Sequence, residues 1–500
     1  MPNASPIECR RQATPSFNVV KLGGTSVACP IGWTRLVEEL QRTPSGIHTV
    51  LVCSAVGGVT NLLEQIAMSG GSWSGYASLL GDIRQRHEQL LRELSSPELI
   101  DKLEPLFEGL EAWVRARPEP GPDDIPWRAR LLAYGELLSS TLAAAYLESA
   151  GLGPVWLDAR RIIRGGRDAQ STRSQRYLSA TCAANSNPQL QRSLGRIPSR
   201  LSVTQGFIAS NLVGETVLLG RGGSDTSAAV LASMLDAQKL EIRTDVPGFF
   251  SADPRRVAGA KMIPLLSYDE ATVLGALGAK ILHPRSLRHV RDGSIPVEVK
   301  WSRDPSIDGT FIADRPEHRS VGIKAVVSRH PLTMYSMRRP RSWQPVGFMS
   351  DVSHAFRTSG FSMDLLSSSS SEIRATVDMA AAPASEEAFM QLESDLEKAC
   401  EVEKHSGLSC VSLVGTRVSR DLGRLGSMLE QFGTGRFHLT SHAADDTHLS
   451  FIVDADREEA LVRQLHDTLF QSDENRRRTR ATSISRVSSQ VHSKEPATAL

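Results

Sequence analysis

The stretch Val19-Val20-Lys21-Leu22-Gly23-Gly24-Thr25-Ser26-Val27 is an apolar strand that runs into a lysine, two glycines and two hydroxyl side chains. Glycines let backbone N–H groups approach phosphate oxygens, and a lysine adds a compact positive charge. The plainer alternative is an ordinary strand-to-helix turn capped by Thr25 or Ser26. No G-x-x-x-x-G-K-[ST] occurs in the chain, so this is not a Walker loop. The same grammar returns in Leu218-Leu219-Gly220-Arg221-Gly222-Gly223-Ser224-Asp225-Thr226-Ser227, ahead of an apolar helix. There Arg221 can fork onto a carboxylate or phosphate, and Asp225 reads either as a site residue or as a helix N-cap. Two such junctions at the carboxyl ends of parallel strands converge on one crevice, which makes an α/β fold the expectation.

The surroundings agree. Between Phe17 and about Trp301, short apolar runs alternate with helical patterns. The runs are Asn18–Leu22, Thr49–Ser54, Pro154–Leu157, Leu201–Gln205, Thr216–Leu219, Glu241–Asp245 and Pro296–Lys300. They lack strict polar alternation, as strands buried on both faces of a parallel sheet do. Helical spacing marks Trp33–Gln41, Asn61–Ala67, Tyr76–Arg117, Ala129–Ser149 and Thr226–Ala237, so helices should cover both faces. After about Asp304 the character changes to two weakly similar units, each reading strand, helix, strand, strand, helix, with a strand at Ser362–Leu366 in the first and a helix at Arg420–Phe432 in the second.

Composition limits the alternatives. The chain has 500 residues, 40% of them apolar, which excludes wholesale disorder. With 57 Lys+Arg against 56 Asp+Glu the net charge is +1, too little to attract polyanions at long range. No window approaches the roughly 18 apolar residues of a membrane span, and Met1 to Phe17 has no apolar leader core, so a soluble cytoplasmic protein is expected. Six scattered cysteines without a C-x-x-C pair indicate neither zinc nor a disulfide framework, but reduced thiols mostly filling core space. Gln471–Leu500 holds six Lys/Arg and three Asp/Glu among many Ser and Thr, and reads as a disordered tail or linker; its net +3 leaves −2 for the remainder.

Other candidates are weaker singly. Thr244-Asp245-Val246-Pro247-Gly248-Phe249-Phe250 and Asp253-Pro254-Arg255 place acid, base and aromatics on one loop suited to a nucleotide, although Pro-Gly is turn chemistry anywhere. Gly278-Ala279-Lys280-Ile281-Leu282-His283-Pro284 offers a further lysine, while His283 reads as a helix-end histidine. In Tyr134-Gly135-Glu136-Leu137, the helix pattern alone makes Glu136 an exposed carboxylate.

Taken together these segments, with Val59-Thr60-Asn61-Leu62-Leu63 and Thr204-Gln205-Gly206-Phe207, resemble aspartate kinases of the amino-acid-kinase superfamily over about residues 17–471. The likeness is greatest to the lysine-sensitive class with tandem ACT domains. It implies a three-layer αβα catalytic domain at 17–304, ACT-like (ferredoxin-like) units at 320–402 and 403–470, and disordered ends at 1–16 and 471–500. It also implies transfer of the ATP γ-phosphoryl group, with Mg²⁺, to the side-chain carboxylate of L-aspartate. By the same resemblance, Lys21 and Asp225 are catalytic, and Thr60, Glu136, Arg221, Gly222 and Ser224 hold aspartate. Gly23, Gly24, Thr25, Thr244, Asp245, Phe250, Arg255, Lys280 and Ile281 hold nucleotide, with no protein-bound metal. Phe348, Met349, Ser362, Met363, Asp364 and Ser369 follow the lysine-effector pattern, in a homodimer or homotetramer joined through the ACT units. The chain departs from the family at Arg243, where Trp is usual, at Phe250 for Tyr, at Ser342 and Pro345 for Met and Ser, and at Ser370 for Glu. A kinase for another acid, the kinase portion of a bifunctional fusion, and a non-catalytic ACT-type sensor are the competing readings.

Overall fold

The computed structural model describes residues 16–69, 73–119, 121, 124–166, 171–279, 281–314, 321–339, 347–379, 386–421 and 437–471. The expected ends therefore fall outside the described residues, apart from Ser16, which already begins a strand, and Gln471. The chain divides into two compact units. One contains the chain up to Phe249, Pro264–Thr272 and Lys280–Arg315; the other contains Phe250–Ile263, Val273–Ala279 and the chain from Pro316 onward.

The first unit is built on an eight-stranded sheet. Its strands are β1 (Ser16–Leu22), β2 (Ile47–Cys53), β3 (Val155–Leu157), β4 (Leu201–Gln205), β7 (Lys239–Thr244), β8 (Leu265–Leu266), β9 (Val297–Trp301) and β10 (Thr310–Ile312). The order is β3-β4-β2-β1-β7-β9-β10-β8, and every pairing is parallel except β9 with β10. This is the expected α/β arrangement with a mainly parallel sheet.

Alternation along the strands sends successive side chains to opposite faces. Val20 and Leu22 of β1, Leu51 and Cys53 of β2, and Leu201 and Val203 of β4 share one apolar cluster with the helices Val59–Met68, Trp73–Glu93, Glu104–Arg115 and Asp124–Ser149. Asp124–Ser149 is apolar nearly all round and buries fifteen residues, as a helix enclosed by neighbours must. Lys21, between Val20 and Leu22, points to the other face, where the helix Gly223–Met234 packs on β1 and β7.

The run Thr216–Leu219 is buried as expected, but it is not a strand of the parallel sheet. As β6 (Thr216–Leu218) it pairs antiparallel with β5 (Ile208–Ser210) in a separate ribbon. A short, wholly apolar run carries no mark of its partner, so composition cannot separate these cases.

In the second unit the strands are β11 (Gly322–Arg338), β12 (Leu366–Ser368), β13 (Glu372–Asp378), β14 (Glu401–Thr416), β15 (Leu439–His442) and β16 (His448–Asp454). They form one antiparallel sheet ordered β12-β13-β11-β14-β16-β15, with the helices Phe348–Thr358, Glu386–Glu397 and Glu458–His466. The two ACT-like regions are thus halves of a continuous sheet. β11 and β14 pair from Gly322↔Thr416 to Arg338↔Glu401, with three register shifts on the way. The expected helix Arg420–Phe432 lies largely outside the described residues, and Val418–Asp421 forms a short 3₁₀ turn. The strand expected at Ser362–Leu366 starts only at Leu366.

Among the described cysteines all five are free thiols; Cys53 and Cys410 are buried, whereas Cys29, Cys182 and Cys400 are half-buried.

Candidate active site

Three loops leave the carboxyl ends of β1, β2 and β4 and meet the start of Gly223–Met234, where open parallel sheets place their ligands. Between them lies a cleft of about 630 Å³, lined by Lys21, Gly24, Thr60, Glu136, Arg221, Gly222, Ser224 and Asp225 among others. Eight residues named from the sequence, spread over 205 positions of chain, are gathered here by the fold.

Lys21 Nζ stands 2.7 Å from Asp225 Oδ1, with both side chains about nine-tenths buried. The pair exists because Lys21 leaves the sheet on the face that Gly223–Met234 covers, and Asp225 is in the first turn of that helix. Asp225 is therefore a partner of Lys21 and not the N-cap. The N-cap is Gly222, in the left-handed region at φ 63°, where a Cβ would lie 2.2 Å from His283 Cβ. Only glycine fits that approach. His283 is a helix-end residue, as its position suggested: its Nδ1 accepts the Arg285 N–H at 3.2 Å at the start of Pro284–Asp292. Burial, together with Arg285, holds its pKa below the ordinary value.

Glu136 differs from the reading based on its helix alone. It is 3% exposed, on the buried side of Asp124–Ser149. Gly135 brings that helix against the loop after β2, since a Cβ there would stand 2.9 Å from Ala55 Cβ. The approach lets Glu136 Oε1 accept the Ala55 N–H at 3.1 Å, while Oε2 has no hydrogen-bond partner among the described residues. Burial pushes the carboxyl up to about 8, against the smaller pull of the Ala55 hydrogen bond. A desolvated carboxyl with one open oxygen beside a lysine, an arginine and glycine-rich backbone can take an ammonium while the cations take anions.

Several lining residues carry no role in the sequence reading. Arg128 and Leu132 precede Glu136 by two and one helical turns and share its face; Arg128 Nε is buried without a partner among the described residues. The spacing 128, 132, 136 is the signal that could have found it. Phe207 at φ 63° packs against Gly223, where a Cβ would meet its ring at 2.5 Å. Behind the lining, Arg86 donates to the Gly57 carbonyl at 3.0 Å and so braces the loop after β2.

Of the residues assigned to nucleotide by resemblance, the described ones do not line this cleft, Gly24 excepted. Gly23 donates its N–H to the Arg243 carbonyl at 3.1 Å, and Thr25 is exposed on the short helix Gly24–Val27. Thr244 ends β7 and donates to Asp245 Oδ1 at 3.2 Å. Ile281 lies in a turn, and Lys280 lies outside the described residues. Phe250 and Arg255 belong to the second unit, where Phe250 bridges Met262 and the Arg255 N–H donates to Asp253 Oδ1 at 3.0 Å.

Arg243, the departure from Trp, is 2% exposed and ion-paired on both sides, with Glu241 at 2.7 Å and with Glu39. Lys239 and Lys300 complete the network around Glu241.

Of the effector-pattern residues, Phe348 is a core residue, 5% exposed among Tyr335, Val352 and Phe356. Met349, Ser362, Asp364 and Ser369 are exposed and Met363 is half-buried. Asp364 is ion-paired with Arg329 of β11. Ser369 instead closes the β12–β13 turn, its N–H donating to the Glu372 carbonyl at 2.8 Å.

Residues 16–300 match the model of the amino acid kinase family. The chain is 30% identical over 464 residues to the lysine-sensitive aspartokinase 3 of Escherichia coli, covering 91% of this chain and 99% of that one. It is also 30% identical over 468 residues to the aspartokinase of Chlamydia trachomatis, covering 92% and 99%. The crystal structure of E. coli aspartokinase III with aspartate and ADP superposes at a TM-score of 0.78 and 29% identity, over 91% of this chain and all of that one. Sheet order, the glycine-built cleft with its Lys21–Asp225 pair, and these likenesses agree: the chain belongs to the amino acid kinase family, among its aspartokinases.

Proposed function

We propose that the chain is an aspartate kinase that transfers the ATP γ-phosphoryl group to the side-chain carboxylate of L-aspartate, giving 4-phospho-L-aspartate, the first step toward the aspartate-derived amino acids. The observation that carries this reading is the pairing, in one cleft, of an open buried carboxyl at Glu136 with the cations Lys21 and Arg221.

In this reading Glu136 takes the substrate ammonium, Arg221 forks onto a carboxylate, and Thr60, Gly222 and Ser224 fix the remainder. An attacking carboxylate is already deprotonated, so no general base is required. The obstacle is bringing anions together, and Lys21 with the glycine N–H groups offsets it at the transferring phosphoryl. Asp225, at 2.7 Å, orients the Lys21 ammonium. Gly23, Gly24, Thr25, Thr244, Asp245, Phe250, Arg255, Lys280 and Ile281 form the nucleotide set. Mg²⁺ is proposed to enter with the nucleotide phosphates. Bound there, it would supply further neutralisation of the phosphate charge.

Residues 17–304 are the catalytic region in this proposal, and 320–402 and 403–470 are the regulatory pair, through which a homodimer or homotetramer forms. Lysine is the proposed effector, supported by the lysine-sensitive E. coli relative. Phe348, Met349, Ser362, Met363, Asp364 and Ser369 are the proposed effector residues. A cytoplasmic location is part of the proposal; among the described residues no helix is long and apolar enough to cross a membrane.

An ATP-dependent hydroxamate assay on aspartate, repeated with lysine and with threonine, tests both levels. Aspartyl hydroxamate that declines with lysine is expected. No product removes the kinase reading, and inhibition by threonine alone or by neither removes the effector.

A further inference from the structure

Phe250–Ile263 carries two residues of the proposed nucleotide set, Phe250 and Arg255, yet its packing is that of the regulatory sheet. Ala252 and Val257 are buried in the same apolar cluster as Val326 of β11, Val411 of β14 and Leu461 of Glu458–His466. The Val326 N–H donates to the Ser251 carbonyl at 2.8 Å, and Ser251 Oγ meets the ring of the fully buried His466 at 2.9 Å.

The polar centre of this packing is Glu458, 4% exposed. Its Oε1 takes Arg256 Nη1 at 2.5 Å and Ser328 Oγ at 2.5 Å, and its Oε2 takes Ser409 Oγ at 3.1 Å. Arg256 Nη1 also donates to Ser328 Oγ at 3.1 Å, and Arg463 Nε returns to the Arg256 carbonyl at 3.0 Å. Ser328 belongs to β11 and Ser409 to β14, the two central strands of the sheet. Burial alone would raise the Glu458 carboxyl, but Ser328 and Arg256 hold it below its ordinary value. A buried carboxylate with this many donors has one well-defined arrangement, and losing one charged partner strands the other.

We infer that the Arg256–Glu458 pair, seated on Ser328 and Ser409, is a positioning clamp for the nucleotide loop. It fixes Arg256, and with it the adjacent Arg255, to the centre of the antiparallel sheet. This inference rests on the reading of Phe250 and Arg255 as nucleotide residues.

The test is steady-state kinetics of the full chain, with KM for ATP, KM for aspartate and kcat measured separately. Glu458→Gln and Arg256→Ala should each raise KM for ATP by roughly five- to tenfold, with kcat and KM for aspartate within about twofold. The double variant should be no worse than Arg256→Ala alone, since the two act as one unit. A purely structural role predicts a lowered melting temperature with unchanged KM values, and that result overturns the clamp. Should Glu458→Gln fail to fold, Ser409→Ala removes one donor only and should still raise KM for ATP; no change there also overturns it. Arg255→Ala separates the two levels. If it raises KM for ATP while the Glu458 and Arg256 variants do not, the clamp alone falls; if it leaves KM for ATP unchanged, the nucleotide reading and the clamp fall together.

Discussion

Aspartate binding should expel a proton from Glu136. Its carboxyl titrates at about 8 because burial disfavours the charged form, so at pH 7 roughly one molecule in ten carries the charge and at pH 8 about half. An ammonium at Oε2 requires the carboxylate. Binding at pH 7 therefore releases about 0.9 proton and costs about 1.4 kcal/mol relative to binding at high pH. The apparent aspartate affinity should rise about fivefold from pH 7 to 8 and about tenfold by pH 9, where the gain levels off. Calorimetry in buffers of differing ionisation enthalpy counts the protons directly. Glu136→Gln keeps an acceptor for the Ala55 N–H but has nothing to ionise. Its aspartate affinity should be roughly tenfold to a hundredfold weaker at high pH, and flat with pH. Stability moves the other way. The folded pKa lies above the unfolded value near 4.5, so the contribution is complete below about 4.5 and is lost as pH rises through about 8. The glutamine variant should therefore gain stability relative to wild type in alkaline buffer. Zero proton release together with a flat wild-type affinity between about pH 6.5 and 9 would refute the assignment of Glu136 to the ammonium.

Lys21→Ala should lower kcat by about a thousandfold or more at saturating substrates, because it removes the charge offset at the reacting phosphoryl; a rate within tenfold of wild type excludes Lys21 from that role. Arg243→Met should destabilise the fold by about 3–5 kcal/mol in urea titrations, since it leaves Glu241 buried without its closest partner. A loss under about 1 kcal/mol would show that Lys239 and Lys300 suffice. Burial alone would raise the Glu241 carboxyl, but Arg243, Lys300 and Lys239 hold it below its ordinary value. The stability it contributes is accordingly present above about pH 4.5 and lost as pH falls through the folded value, so the wild-type advantage over Arg243→Met should shrink in acid.

The glycine-rich junctions at Gly23 and Gly222 were legible because strand, lysine or arginine, glycines and helix follow one another within a few residues. Local order of that kind also placed Lys21 and Asp225 at strand and helix ends, although their contact spans 204 residues. Glu136 was not legible from its helix, whose apolar pattern says nothing about a loop 81 residues earlier; the contact depends on the missing Cβ of Gly135. Arg243 presented itself only as a departure from a family pattern, and its meaning required Glu39 and Glu241 in space. The ribbon β5–β6 and the parallel strands share one composition, so only partner geometry distinguishes them. The packing of Phe250–Ile263 in the second unit was not legible either: its polar partner Glu458 reads in sequence as an ordinary first-turn acid of a helix.

The continuous pairing of β11 with β14 gives the second unit the character of a beam. At about 3.3 Å per residue, seventeen residues of β11 span roughly 55 Å, and each ACT-like half is built on the same two strands. Neither half has a sheet edge along which it could be cut away. A truncation near residue 402 would sever β14 within its pairing to β11, and so would remove a central strand from both halves at once. The backbone hydrogen bonds of one strand pair therefore hold both halves, and neither half has a central pair of its own.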